Sequence, residues 1–160
     1  MCRLQLHQEA RRTLRTFPLR CHMPFTAGLP IYFENPAGRV LEHPAGYAVF
    51  VYSPGKRQLS ELQALLIHTG QLLRRRQWHR LLGDQRRMTP FTEQESTWIL
   101  EYWLDPANQQ PQGLYAAILL AEDVFARLST NQLISDAKAA ALTYHFFDNE
   151  IAASAWLRQH

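Results

Sequence analysis

Residues 81–95 read LLGDQRRMTPFTEQE, and the parsing of this stretch decides the fold. An apolar run stops at Asp84. Arg86 and Arg87 follow, then a turn through Pro90 and Phe91. Thr92-Glu93-Gln94-Glu95 fits the S/T-x-x-E capping box, in which two side chains satisfy each other's backbone donors at a helix start. Phe91 stands where a hydrophobic staple onto the first turn would stand. The stretch therefore reads as a strand over 79–84, a charged loop and a helix over 92–104. Asp105-Pro106 stops that helix. A strand that feeds a helix within a few residues is one half of a βαβ unit.

Working outward, the same alternation continues on both sides. Upstream, Leu59, Leu62, Leu65, Leu66, Thr69, Leu72 and Leu73 recur at helical spacing. Arg74-Arg75-Arg76 closes that helix, where cations favour the negative end of its dipole. Before it lie three β-prone runs, Ile31–Glu34, Arg39–His43 and Tyr47–Ser53, separated by Asn35-Pro36-Ala37-Gly38 and Pro44-Ala45-Gly46. They predict an antiparallel meander, and both faces of the third run are apolar enough to be covered. Downstream, GLYAAILLAE (113–122) predicts a strand buried on both faces. Residues 123–141 predict a helix with Val124, Phe125, Leu128, Leu133 and Ile134 on its core side. LTYHFF (142–147) predicts a final strand and 148–159 a final helix. The order βββ-α-β-α-β-α-β-α gives an α/β fold with a mixed sheet of about six strands and about four helices. The meander extends a sheet of parallel βαβ units.

Composition narrows the function classes. The 160 residues are 46% hydrophobic and 19% charged, as in an ordinary single-domain globular protein. The pI near 9.1 suggests an anionic partner, but the excess charge is local. Residues 1–22 hold five arginines against Glu9, whereas residues 23–160 hold 12 basic and 13 acidic groups. A near-neutral body argues against an extended nucleic-acid face. Residues 1–22 read as a disordered leader or a mis-assigned start, with translation expected from Met23 and one domain over 23–160. Cys2 and Cys21 both fall in the leader, so no disulfide or metal framework follows from them. No apolar run is long enough to span a membrane, and the default location is cytoplasmic.

The candidate chemistry gathers where the parallel strands end, since ligands of open α/β sheets sit beyond those carboxyl ends. Asp84, Glu122, Asp123 and Asp148 would share that rim, with Asp84 and its arginine neighbours on an exposed lip, and offer a divalent-cation site for a metal-dependent enzyme. Asp123 and Asp148 each stand directly before a helical pattern, however, and read as helix N-caps before they read as metal ligands. Asp84, Arg86 and Arg87 either brace the loop or hold a phosphate or carboxylate. His145 falls in a strand expected to be buried and reads as a core histidine; His43, His68 and His79 share no ligand spacing. Gly55-Lys56 is only a turn signal, and Arg74–Arg76 with Trp78 reads as a solvated helix end before it reads as a nucleic-acid contact. Trp98, Tyr102, Trp103 and Trp156 are core or line a pocket for an apolar ligand. No catalytic residue set, resident metal or cofactor follows from these motifs.

Taken together, the meander, ELQALLIHTGQLLRRRQWHRLLGDQRRMTPFTEQE, GLYAAILLAEDVFARL and LTYHFFDNEIAASAWL resemble bacterial STAS-like proteins related to sporulation anti-sigma-factor antagonists. Asp84-Gln85-Arg86 matches a D-x-R step after the central strand of that family. Phe147-Asp148 through Trp156-Leu157 matches its closing acid and A-x-x-W-L helix. The resemblance covers about residues 31–158. It implies an αβ sandwich with helices mainly on one face and a non-enzymatic binding or regulatory role through loop 84–92, with Asp84, Arg86, Arg87 and Thr92 as the binding residues. The partner would be a protein, a small ligand or, in a homodimer, a second copy. Related CRAL-TRIO-like domains carry lipids, so a lipid or hydrophobic-metabolite carrier is the alternative. The chain departs from the family at the D-S-S-G turn that holds a phosphorylatable serine in partner-switching members. Here Thr89 and Thr92 stand in that place by position alone.

Overall fold

The structure is a computed structural model, and it describes residues 24–137 and 142–160. The leader, Met23 and both cysteines lie outside the described residues, as do the last positions of the helix expected over 123–141. The elements are β1 (Ile31–Asn35), β2 (Gly38–His43), β3 (Tyr47–Tyr52), α1 (Leu59–Arg76), β4 (Arg80–Asp84), α2 (Glu93–Trp98), β5 (Leu114–Leu119), α3 (Val124–Asp136), β6 (Leu142–Phe147) and α4 (Glu150–Leu157). The strands form one six-stranded sheet in chain order, β1 to β6. β1–β2 and β2–β3 pair antiparallel, and the pairs from β3 to β6 are parallel. The mixed α/β architecture read from the sequence is therefore the one observed.

The order explains where the helices lie. Crossovers of one hand that always step the same way along a sheet leave their helices on the same face. Side chains of α1, α2 with its continuation, and α3 join Val40, Ala48, Phe50, Tyr52 and Leu81 in one core cluster. The alternate positions Leu41, Tyr47, Val49, Leu82, Ala117 and Leu119 form a second cluster with Ala153 and Leu157 of α4. Burying a leucine-sized side chain stabilises by roughly 1.5–3 kcal/mol, so the second face rests heavily on one short helix. Arg80 fastens that helix: its Nη1 donates to the Leu157 carbonyl at 3.1 Å and its Nη2 to Ala45 and Gly46 at 3.1 and 3.2 Å. A cation at a helix carboxyl end also complements the dipole.

Turn chemistry fixes the meander. Asn35 Oδ1 accepts from Ala37 N at 2.9 Å, while its Nδ2 donates to the Glu61 carbonyl of α1 at 2.8 Å. Gly38 then runs under Val51, where a Cβ would sit 2.1 Å from the Val51 carbonyl oxygen. Only glycine fits that approach.

Three expectations require correction. Val124, Phe125 and Leu128 are exposed; the inner stripe of α3 is Ala126, Thr130 and Leu133, whose small members bring the helix close to the sheet. His145 is exposed, because β6 is an edge strand whose middle residues Thr143 to His145 face outward or lie uncovered. The helix expected over 92–104 is α2 followed by a π-helical segment, Ile99–Trp103, that leaves Tyr102 half exposed.

Candidate functional site

The loop 84–92 leaves the carboxyl end of β4, a strand with a parallel neighbour on each side. Asp84 is the last strand residue, paired with Val51 and Leu119. It was expected on an exposed lip. It is instead buried, because Arg86 folds back over it. Arg86 Nε and Nη2 donate to the two carboxylate oxygens at 3.0 and 2.8 Å, and Arg86 N donates to Oδ1 at 3.1 Å. The remaining Nη1 reaches Glu150 at the start of α4, 3.2 Å away, and the Phe25 ring lies 5.7 Å from the guanidinium carbon. The hydrogen bond to Asp84 raises the Arg86 pKa above its ordinary value; burial opposes this, and the charges of Asp84, Glu150 and Glu122 add to it. Backbone bonds Gln85 N to Leu119 O and Glu122 N to Arg86 O stitch the loop to the end of β5. Arg86 is thus spent on bracing.

The other end of the loop is held by a residue that sequence reading missed. Arg57 follows β3, and its side chain is 4% exposed between the rings of Tyr52 and Phe91, each 5.4 Å from the guanidinium carbon. It donates to Glu95 Oε2 at 2.8 Å, to Thr89 Oγ1 at 3.0 Å and to the carbonyls of Thr89 and Pro90. Burial raises the pKa of Tyr52 well above the ordinary phenol value, the nearby Arg57 charge lowers it and the Glu95 charge raises it again. The capping box is as read: Glu95 N donates to Thr92 Oγ1 at 3.2 Å and Thr92 N to Glu95 Oε2 at 2.9 Å. A box glutamate was legible, but nothing in the sequence announced that it has a second partner 38 residues upstream.

These contacts decide what the named residues are free to do. Thr92 Oγ1 caps α2. Thr89 Oγ1 donates to the Gly55 carbonyl at 3.1 Å and accepts from Arg57. A phosphoryl group on either hydroxyl would have to displace those bonds. Arg87 is exposed and makes no hydrogen bond or ion pair among the described residues. Val124, Phe125 and Leu128 of α3 and Ile151 of α4 are exposed too, Phe125 at 71% and Ile151 at 80%, on helices that follow the carboxyl ends of β5 and β6.

The acidic residues separate into structural roles. Asp123 caps α3, accepting from Ala126 N at 2.9 Å. Asn149, not Asp148, caps α4, because it stands at the last extended residue and accepts from Ala152 N at 2.9 Å. No three His, Cys, Asp or Glu side chains among the described residues are grouped to hold a metal ion. The histidines scatter as well: His43 stacks on Tyr47 at 4.2 Å and His68 on Phe33 at 3.8 Å. Of the aromatic set, Trp98 stacks on Tyr102 at 5.0 Å while Trp156 lies on the opposite face against Tyr115 and His145. Between the sheet and its main helical layer, a gap of about 80 Å³ remains, lined by Phe50, Leu66, Ile99 and Leu133 among others. No helix of the described residues is long and apolar enough to cross a membrane. Comparison with protein-family models, with curated proteins and with solved structures finds no match.

Proposed function

We propose that this chain is a non-enzymatic, STAS-like binding module that docks a protein partner on the carboxyl rim of its sheet. The docking surface comprises the loop 84–92 and the first turns of α3 and α4. The observation that carries this reading is the exposure of Val124, Phe125, Leu128 and Ile151 on the two helices that start at that end of the sheet, together with the uncommitted Arg87 of the loop. Exposed apolar clusters with polar surroundings mark interaction surfaces. The strand order adds support. Ligand crevices in open α/β sheets form where the order reverses, and a sheet that runs from β1 to β6 in sequence has no such point. A rim without such a crevice suits a protein surface better than a cofactor. The Asp84–Arg86 and Arg57–Glu95 clamps hold the loop in one shape before a partner arrives, which reduces the ordering cost of association.

The carrier reading finds less support. Ligand pockets of ordinary size occupy ~300–1,000 Å³, and the gap of about 80 Å³ between sheet and helices is far below that. Affinity capture from the source lysate tests the docking proposal. Arg87→Ala combined with Phe125→Ser leaves both clamps intact and is expected to lose the partners that the wild-type chain retains. The Arg86→Ala/Arg87→Ala pair is expected to lose them too. Identical partner sets for the wild type and both variants would refute the rim as the docking surface.

A further inference from the structure

At the end of the sheet opposite the rim, the carboxyl half of α1, the π-helical segment and the loop 106–114 line a half-open cavity of about 220 Å³. Its character is set by a few side chains. Tyr102 and Trp103 supply aromatic walls, Leu73 and Leu114 an apolar floor, and Arg74 a cation. Among the described residues, no acidic side chain lines it. Arg74 is exposed and has no carboxylate partner among the described residues, unlike Arg76, which pairs with Glu42 at 2.6 Å.

The walls are held in place. Leu104 N donates to the Ile99 carbonyl at 2.8 Å, the i to i+5 bond of a π turn. Such turns are uncommon and concentrate at functional sites. The wider turn carries the consecutive residues Tyr102 and Trp103 to the same cavity, where an α-helical turn would spread them further apart. Gly70 lets the Trp103 ring lie on α1: a Cβ there would meet Trp103 Cζ3 at 3.0 Å and Arg74 Nη1 at 3.5 Å. Ring and guanidinium therefore converge over one glycine. The amides at the mouth are fixed too. Asn108 Nδ2 donates to the Tyr102 carbonyl at 2.9 Å, and Gln110 is bonded at both ends, to Trp78 O at 3.0 Å and Gln112 Nε2 at 2.9 Å.

We propose that this cavity binds a single-ring aromatic carboxylate, its ring against Tyr102 and Trp103 and its carboxylate on Arg74. The volume is below the ~300–1,000 Å³ of drug-sized pockets, which excludes a lipid and suits one ring. A guanidinium fork matches a carboxylate in two parallel charge-assisted bonds. The site shares no residue with the rim, so it stands independently of the docking proposal.

Isothermal titration of the full chain with benzoate, 4-hydroxybenzoate and pyridine-3-carboxylate tests it, with benzamide and acetate as probes lacking the charge or the ring. Saturable binding of at least one aromatic acid is expected, with benzamide and acetate much weaker. Arg74→Met is expected to lower the acid's affinity at least about tenfold, the loss of one charge-assisted pair, while leaving the thermal midpoint unchanged. Tyr102→Ser, at a half-exposed position, is expected to weaken the same acid without unfolding the chain. Arg87→Ala/Phe125→Ser at the rim is expected to leave it unaltered. Failure of all three acids to saturate at millimolar concentration, equal binding by Arg74→Met, or benzamide binding as tightly as benzoate would each overturn the proposal.

Discussion

Arg57 and Arg86 grip the two ends of the same loop, and each does so through a carboxylate. Their settings differ. The Arg57 and Glu95 side chains are 4% and 2% exposed, enclosed by aromatic rings. The Arg86 side chain remains 33% exposed, with water and a second acid, Glu150, within reach. One ionic motif thus serves two purposes. In the interior, each partner exists to make the other tolerable, and neither can be removed alone. At the rim, the pair orients a backbone turn and leaves its surroundings open for contact.

The largest test of that contrast is Arg57→Met. It strands Glu95 without a counter-ion, and breaking a buried pair from one side costs about 3–5 kcal/mol. Urea denaturation is expected to show that loss, and a loss below about 1 kcal/mol would erase the distinction between the two clamps. Replacing Arg57 and Glu95 together with methionine and glutamine is expected to recover a large part of it. Arg86→Ala comes next, at about 1–3 kcal/mol, since hydrogen bonds to a charged group are lost while solvent partly reaches Asp84. Thr92→Ala is expected to cost about 1 kcal/mol, the value of a helix cap, and so measures how much of the inner clamp is ordinary capping. The smallest effect concerns His43. Burial lowers its pKa, and the Arg158 charge lowers it further. The folded state thus prefers neutral imidazole, whose Nδ1 accepts from Ala45 N at 3.1 Å. Its stabilising contribution is complete above the unfolded value of 6.5 and is lost as the pH falls below it. His43→Gln is expected to flatten the decline in stability between about pH 7 and pH 5, as read from thermal midpoints.

The elements with strong local signals were legible in the sequence. Capping at Thr92 and Asp123, the Asn35 turn and the apolar alternation of β3 each depend on residues a few positions apart, and each is observed where it was read. Most failures depend on a partner far along the chain, while two are local: α4 is capped by Asn149 one position past Asp148, and the helix after Trp98 widens into a π turn. The exposed side of α3 was misread because Phe125 and Leu128 are larger than Ala126 and Thr130, and the sequence does not show that close helix–sheet approach favours the small residues. His145 was misread because edge position is set by strand order, not by strand composition. Asp84 was recognised as a strand terminus, but its burial follows from the return of Arg86 and the proximity of Phe25 and Glu150. The cavity beside Arg74 was only half visible, as an aromatic set; the π turn that pairs Tyr102 with Trp103 left no mark in the helical pattern.

Because the strands lie in the order of synthesis, each one emerging from a ribosome meets a finished edge. The covering of the second face is different, since α4 follows all six strands in the chain. Until its eight residues emerge, Tyr47, Val49 and Leu82 lack the Ala153 and Leu157 side chains, and among the described residues upstream only Phe25, Leu29 and Ala45 pack over that face. The Arg80 guanidinium on the Leu157 carbonyl is then a latch that shuts only once α4 has been made.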